Sequence, residues 1–251
     1  MKGFLKTLGS LVVVGILSVT LVAQTSSAAR YDRDIQSRVA QQLADKKEFR
    51  NLQSSVDDGI VTLTGSVDLY QQKLDAAKKV RKMDKVQGVR NLIEVSSTAL
   101  DAQLAAQLDR KLYFDRIGYG NQFNYITASV QDGVATLSGE TRTDVDRDSA
   151  LWIAGNMPGV KEVVNDIRVA PVSNFDDDIR LRALRVIYRD PVLGRYASDP
   201  AAPIRIVVSN GKLILYGTVE NTMDKNVAGI RAGQISGVFS VQNNLEVAKK
   251  S

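Results

Sequence analysis

The sequence predicts an α+β protein built from three tandem α-β-β-α-β units. Three observations lead there. The phrase "DDGIVTLTG" at 57–65 returns as "QDGVATLSG" at 131–139 and "SNGKLILYG" at 209–217. Each copy is followed by a second phrase, "KVQGVRNLIEV" at 85–95, "GVKEVVNDIRV" at 159–169 and "GVFSVQNNLEV" at 237–247. Gly65, Gly139 and Gly217 stand thirty residues before Val95, Val169 and Val247, with no gap in any copy. Columns that match at constant spacing mark a repeated supersecondary unit.

The N-terminal 29 residues fall outside the repeats. Lys2 and Lys6 precede an apolar run, Leu8 to Val22, and the small residues of "QTSSAA". This is the layout of a signal peptide, with cleavage expected after Ala28 or Ala29. The alternative is an uncleaved anchor, but the run is shorter than the roughly 20 residues that cross a bilayer. The 251 residues include no histidine and no cysteine. That excludes disulfides, thiol nucleophiles, Cys/His zinc sites, histidine triads and a lipid-modified cysteine. Exported eukaryotic domains usually carry disulfides, so a signal peptide without cysteine points to the bacterial periplasm.

Each unit begins with a helix. Ile35, Val39 and Leu43, then Leu104, Leu108 and Leu112, then Ile179, Ala183 and Ile187 recur every four residues and share one face. Asp34, Asp101 and Asp178 are expected at the helix starts, where a carboxylate is favourable. The hairpin comes next. Asp58-Gly59, Asp132-Gly133 and Asn210-Gly211 suit type I′ turns, which need positive φ at both centres. Such turns set Val56 opposite Val61, Val130 opposite Ala135 and Val208 opposite Leu213, with Leu63, Leu137 and Leu215 continuing the same face. Six glycines are therefore structural: Gly59, Gly133 and Gly211 in the turns, and Gly65, Gly139 and Gly217 at the strand ends. A side chain at the latter three is expected to collide with the helix that follows. That second helix carries Ala76, Ala77 and Val80; Ala150, Leu151 and Ala154; Ala228 and Ala232. A third strand then returns, with Asn91, Asn165 and Asn243 on its inward parity, each expected to make a fixed structural hydrogen bond. A right-handed crossover brings that strand into the sheet.

These motifs resemble the BON domain, in three tandem copies at 31–97, 100–171 and 175–247, as in the exported proteins of the osmotically inducible periplasmic protein Y type. The resemblance implies a small three-stranded mixed sheet with two helices packed on one face of it in each unit. It also implies a binding or structural role in the envelope and no catalysis, cofactor or small-molecule substrate. Attachment to phospholipid membranes is the leading expectation, with a link to envelope or osmotic stress. A chaperone or interaction module for exported proteins is the alternative. The chain departs from the commoner pattern in having three units, and it lacks the cysteine of the lipoprotein members.

Charge is uneven. Residues 30–97 carry thirteen basic and ten acidic side chains, 98–172 seven and ten, 173–251 eleven and eight. This weak alternation is no nucleic-acid signature. Two basic stretches are candidate lipid sites. Lys78, Lys79 and Lys82 lie on the second helix of repeat one, with Arg81 among them. The first helix of repeat three carries Arg182, Arg185 and Arg189 beside a second apolar row, Leu181, Leu184 and Tyr188. The first stretch fits a solvated face better than a lipid site. The second fits packing against a neighbouring repeat or the loop 190–204. The acidic pairs read as structure: Asp176–Asp178 as helix capping and Asp57-Asp58 as hairpin geometry, with no metal expected.

Overall fold

Alternation and helical spacing produce the elements in the expected order. The computed structural model describes residues 19–97, 99–116 and 120–248, with side chains from Arg30 onward. The charged start and most of the apolar run of the expected signal peptide lie outside the described residues. Repeat one contains α1 (Val19–Ala44), β1 (Leu52–Asp57), β2 (Ile60–Val67), α2 (Tyr70–Arg81), β3 (Gly88–Asn91) and β4 (Glu94–Val95). Repeat two contains α3 (Asp101–Phe114), β5 (Tyr125–Gln131), β6 (Val134–Thr141), α4 (Asp144–Gly155) and β7 (Glu162–Val169). Repeat three contains α5 (Asn174–Tyr188), β8 (Ile204–Ser209), β9 (Lys212–Val219), α6 (Thr222–Gly233), β10 (Ser240–Asn243) and β11 (Glu246–Val247).

Each repeat has its own mixed sheet. The hairpin is antiparallel, and the returning strand pairs parallel to the hairpin's second strand. In repeats one and three the returning strand is interrupted, so two short segments follow one another along β2 and along β9. The turn residues have positive φ in every copy, from 47° at Asp58 to 79° at Gly133. Val56–Val61, Val130–Ala135 and Val208–Leu213 are register partners. Leu63, Leu137 and Leu215 are fully buried, as are the three helical trios save for a few per cent at their ends. Complete burial of such a side chain contributes about 1.5–3 kcal/mol.

Four local expectations are corrected. First, Asp34 lies within α1 and not at its start, and pairs with Arg38 at 3.3 Å. Second, α5 is capped by Ser173, whose side chain accepts from the Asp176 N–H, so Asp178 lies past the first turn. Third, Asn165 and Asn243 make the expected structural hydrogen bonds but are not buried: their side-chain carbonyls accept from the N–H two residues on, Ile167 and Leu245, and the Asn243 amide donates to the Lys225 carbonyl at 2.6 Å. Fourth, Gly65, Gly139 and Gly217 do not meet the following helix. Their φ values are 104°, 131° and 109°, and a β-carbon there would overlap the carbonyl oxygen of Asn51, Tyr125 or Pro203 at the start of the neighbouring strand.

The repeats share a device absent from the expectations. Asp32, Asp101 and Asp176 each reach from the first helix to the hairpin turn. Asp101 accepts the N–H of Asp132 at 2.6 Å and of Gly133 at 2.9 Å. Asp176 accepts Asn210 at 2.9 Å and Gly211 at 2.8 Å, and Asp32 accepts Asp58 at 3.1 Å and Gly59 at 2.9 Å. Each carboxylate bears on both N–H groups of a tight turn, a charge-assisted arrangement.

Contacts divide the chain into two compact units. One gathers the described residues through Gly65 with Ala76–Leu92, and the other gathers Ser66–Asp75 with the described residues from Ile93 on. Repeats two and three thus belong to one unit. One backbone position separates repeat one from the others: Lys85 has φ 65°, where Gly159 and Gly237 have 96° and 91°. Left-handed backbone costs a lysine about 1–2 kcal/mol. Its ammonium lies 4.8 Å from the Tyr31 ring centre, worth about 0.5–1 kcal/mol at an exposed site. Strain exceeds that contact, so Lys85→Gly should stabilise the first unit by about 0.5 kcal/mol, read as a higher urea midpoint.

Candidate functional site

The strongest surface constellation is in repeat three, around α5. The trio Ile179, Ala183 and Ile187 is fully buried. Of the expected second row, only Leu181 stays exposed, at 45%. Leu184 and Tyr188 pack against the core of repeat three, and the Tyr188 hydroxyl donates to the Ile204 carbonyl at 2.8 Å. Burial pushes the Tyr188 phenol far above its ordinary range. The cover is the connection after α5, whose Leu193, Tyr196 and Ala201 are buried.

The arginines divide similarly. Arg180 is 3% exposed, pairs with Asp177 at 2.7 Å and donates to the Val208 carbonyl. Arg182 is half-buried, while Arg185 and Arg189 are exposed. Among the described residues none of these three is in an ion pair. Seven-residue steps put Phe175, Arg182 and Arg189 on one face of the helix. Phe175 is 45% exposed and Phe239 is 77% exposed, and their rings stack at 5.7 Å. Phe175 and the Arg182 guanidinium both lie against Gly237. The result is an exposed aromatic pair at the head of an unpaired arginine row. Phe239 lies over the turn glycine Gly211, where repeats one and two place Gln87 and Lys161 over Gly59 and Gly133. That substitution is visible in the aligned second phrases and was missed.

The lysine stretch of repeat one is where the sequence put it. Lys78 and Lys82 on and after α2 are exposed and Lys79 is half-buried, while α2 also exposes Leu74 at 41%. Exposed apolar pairs were also missed on the second helices of the other repeats: Val145 and Trp152 on α4, Met223 and Ile230 on α6, all above 60% exposed. Each pair is seven residues apart and so shares a helix face. The carboxylates Asp32, Asp57 and Asp58 come together in the first unit, but both oxygens of Asp32 already hold turn N–H groups.

Comparison places these features. The BON domain profile matches residues 31–97, 100–171 and 190–249. The chain belongs to the BON-domain family. Its three BON repeats account for most of the sequence, and α5 is the one first helix that the profile leaves out. Osmotically-inducible protein Y of Escherichia coli K12 is 28% identical over 147 residues, covering 55% of this chain and 72% of that protein. An uncharacterized protein in the gshII 5' region of Anaplasma centrale is 25% identical over 147 residues, 55% of this chain and 94% of that one. Among solved structures, CdsD, a structural protein of the type III secretion system of Chlamydia trachomatis, covers 86% of this chain and 92% of its own at 16% identity, with a TM-score of 0.25. Among the described residues, no helix is long and apolar enough to cross a membrane.

Proposed function

We propose that this BON protein is a non-enzymatic periplasmic envelope protein that docks on anionic phospholipid surfaces through the α5 face of repeat three. The observation that carries this reading is the exposed Phe175–Phe239 pair beside Arg182, Arg185 and Arg189. Basic residues near an anionic leaflet contribute about 1 kcal/mol each. Aromatic side chains entering the acyl boundary add an apolar contribution that charge alone lacks. Similarity to an osmotically inducible protein supports a stress-related role.

The test is flotation with anionic and neutral vesicles at low and high salt. Arg182→Glu with Arg185→Glu should abolish binding to anionic vesicles. The same reversal at Lys78 and Lys79 should weaken it less, because no aromatic pair stands beside them. High salt should weaken wild-type binding, since surface charges are screened beyond about 8 Å at physiological ionic strength. Equal binding to neutral vesicles, or a double reversal that lowers only the melting temperature, would refute the docking face.

A second reading, a chaperone for exported proteins, is favoured by the exposed pairs Val145/Trp152 and Met223/Ile230. It expects salt-tolerant suppression of client aggregation that is lost on Trp152→Asp and retained in the arginine variant.

A further inference from the structure

Repeats two and three enclose a cleft of about 280 Å³ within the second unit. Its composition is unusual for a packed interface. Arg116, 3% exposed, donates from Nε to the Ser149 hydroxyl at 3.1 Å and from Nη2 to the Asp146 carbonyl at 2.8 Å. Arg205, 8% exposed, lies over the Tyr113 ring at 5.2 Å, and its Nη1 is buried with no hydrogen-bond partner among the described residues. Neither arginine is in an ion pair among the described residues. Asn121 lines the same cleft at 4% exposure, and neither its side-chain oxygen nor its nitrogen has a partner there.

Two buried guanidinium groups with no carboxylate in direct contact are costly, because the more distant pull of Asp146 on Arg116 and of Asp199 on Arg205 leaves desolvation the larger effect. An anion between them would offset it and occupy the free donors. Burial first, and also the neighbouring Arg205 charge, lowers Arg116 to about 10, against the opposing pull of Asp146. The tyrosine beside them adds no negative charge: burial and the Asp199 carboxylate, which accepts from its hydroxyl at 3.0 Å, push Tyr113 up to about 12.

The other end of the cleft has the opposite sign. Tyr125, stacked on Tyr216 at 3.9 Å, lines the wall there with Asp109 and Glu246. Burial raises the Tyr125 phenol, and Glu246, Tyr216 and Asp109 raise it further, so both carboxylates act on this end. Arg205 is the register partner of Tyr216, and Glu246 is that of Thr218 on the same strand, β9. Arg205 and Glu246 therefore stand two strands apart, about 10 Å across the sheet.

We propose that this cleft binds a small zwitterion, with its phosphate or carboxylate group between Arg116 and Arg205 and its ammonium group toward Asp109 and Glu246. The proposal is independent of the α5 membrane face, since it uses none of its residues.

The probes are O-phosphoethanolamine and inorganic phosphate, titrated calorimetrically into the full chain. Both should bind saturably, O-phosphoethanolamine about tenfold tighter. Arg205→Met keeps the apolar stem and removes the charge, so it should weaken both by more than about tenfold. The ligand-free melting temperature of that variant should not fall, because an unpaired buried charge has been removed. Should Arg205→Met fail to fold, Asn121→Leu must weaken phosphate instead. Asp109→Asn with Glu246→Gln should reduce O-phosphoethanolamine to the affinity of phosphate. Displacement by phosphatidylethanolamine vesicles would identify a lipid headgroup as the source, and lack of displacement a free solute. Absence of saturable binding by either anion at about 10 mM, binding unchanged in Arg205→Met, or equal affinity of the two probes would overturn the assignment.

Discussion

Gly217→Val should unfold the second unit. Gly217 has φ 109° and pairs with Ile204 at the start of β8, where a β-carbon would overlap the Pro203 carbonyl oxygen. The obstacle is backbone, so no side-chain rotation relieves it. Left-handed strain alone costs about 1–3 kcal/mol. Opening the β8–β9 ladder to relieve the overlap loses more, so the total exceeds about 4 kcal/mol. That approaches the whole stability of a small domain, about 5 kcal/mol at the low end. Alanine should be nearly as harmful, because the first side-chain carbon already makes the overlap. Thermal melting followed by circular dichroism checks this, and a Gly217→Val protein with wild-type melting would contradict the geometry. Gly139 has the same role against Tyr125 and should respond alike.

Asp176→Ala should cost repeat three about 3 kcal/mol, and Asp178→Ala less than about 0.5 kcal/mol. The two residues stand in one acidic run, yet their surroundings differ. Asp176 is 2% exposed and holds the N–H groups of Asn210 and Gly211, the latter buried within the turn. Without the carboxylate, two donors lose charge-assisted partners and one of them has no access to water. Asp178 is exposed. Between them, Asp177 pairs with Arg142 at 3.0 Å and with Arg180, and these two hold its carboxyl below the usual range. Urea midpoints for the two alanine variants, measured side by side, distinguish the turn clasp from helix capping. Equal losses would mean that the run acts only through the helix end.

The elements that the sequence specified best depend on neighbours a few residues away. Turn chemistry at Asp58-Gly59 fixes register, and register fixes which of Val61 and Thr62 faces inward. Four-residue spacing likewise fixes the buried face of each first helix. The Asp clasp was absent from the expectations because it joins residues about thirty apart, beyond any local period. A cue was nonetheless present: Asp32, Asp101 and Asp176 each stand three residues before Ile35, Leu104 and Ile179, whereas Asp34 and Asp178 do not share the column of Asp101. The strand glycines were recognised, but the atom they avoid belongs to the partner strand, which spacing does not reveal. Leu184 and Tyr188 showed as a second apolar row, yet periodicity cannot say what covers a row. In repeat three the covering segment is the connection ending at Pro203. The cleft was invisible for a related reason, since Arg116 and Arg205 are 89 residues apart and come together only when two repeats pack.

The clasp also shows where this architecture tolerates growth. The carboxylate reaches its turn across 26 and 27 residues in repeat one, 31 and 32 in repeat two, and 34 and 35 in repeat three. From the strand glycine to the final valine, by contrast, all three copies keep thirty. Closing a loop of 35 residues instead of 26 costs only about 0.3 kcal/mol more in chain entropy. Lengthening between first helix and hairpin is therefore nearly free, while the crossover that follows is held to a fixed span by the parallel pairing. The permissive segment is the one that supplies Arg116, Asn121 and Asn124 in repeat two and Pro203 in repeat three to the cleft. A repeat can thus acquire new chemistry there by insertion, without renegotiating the sheet that holds it.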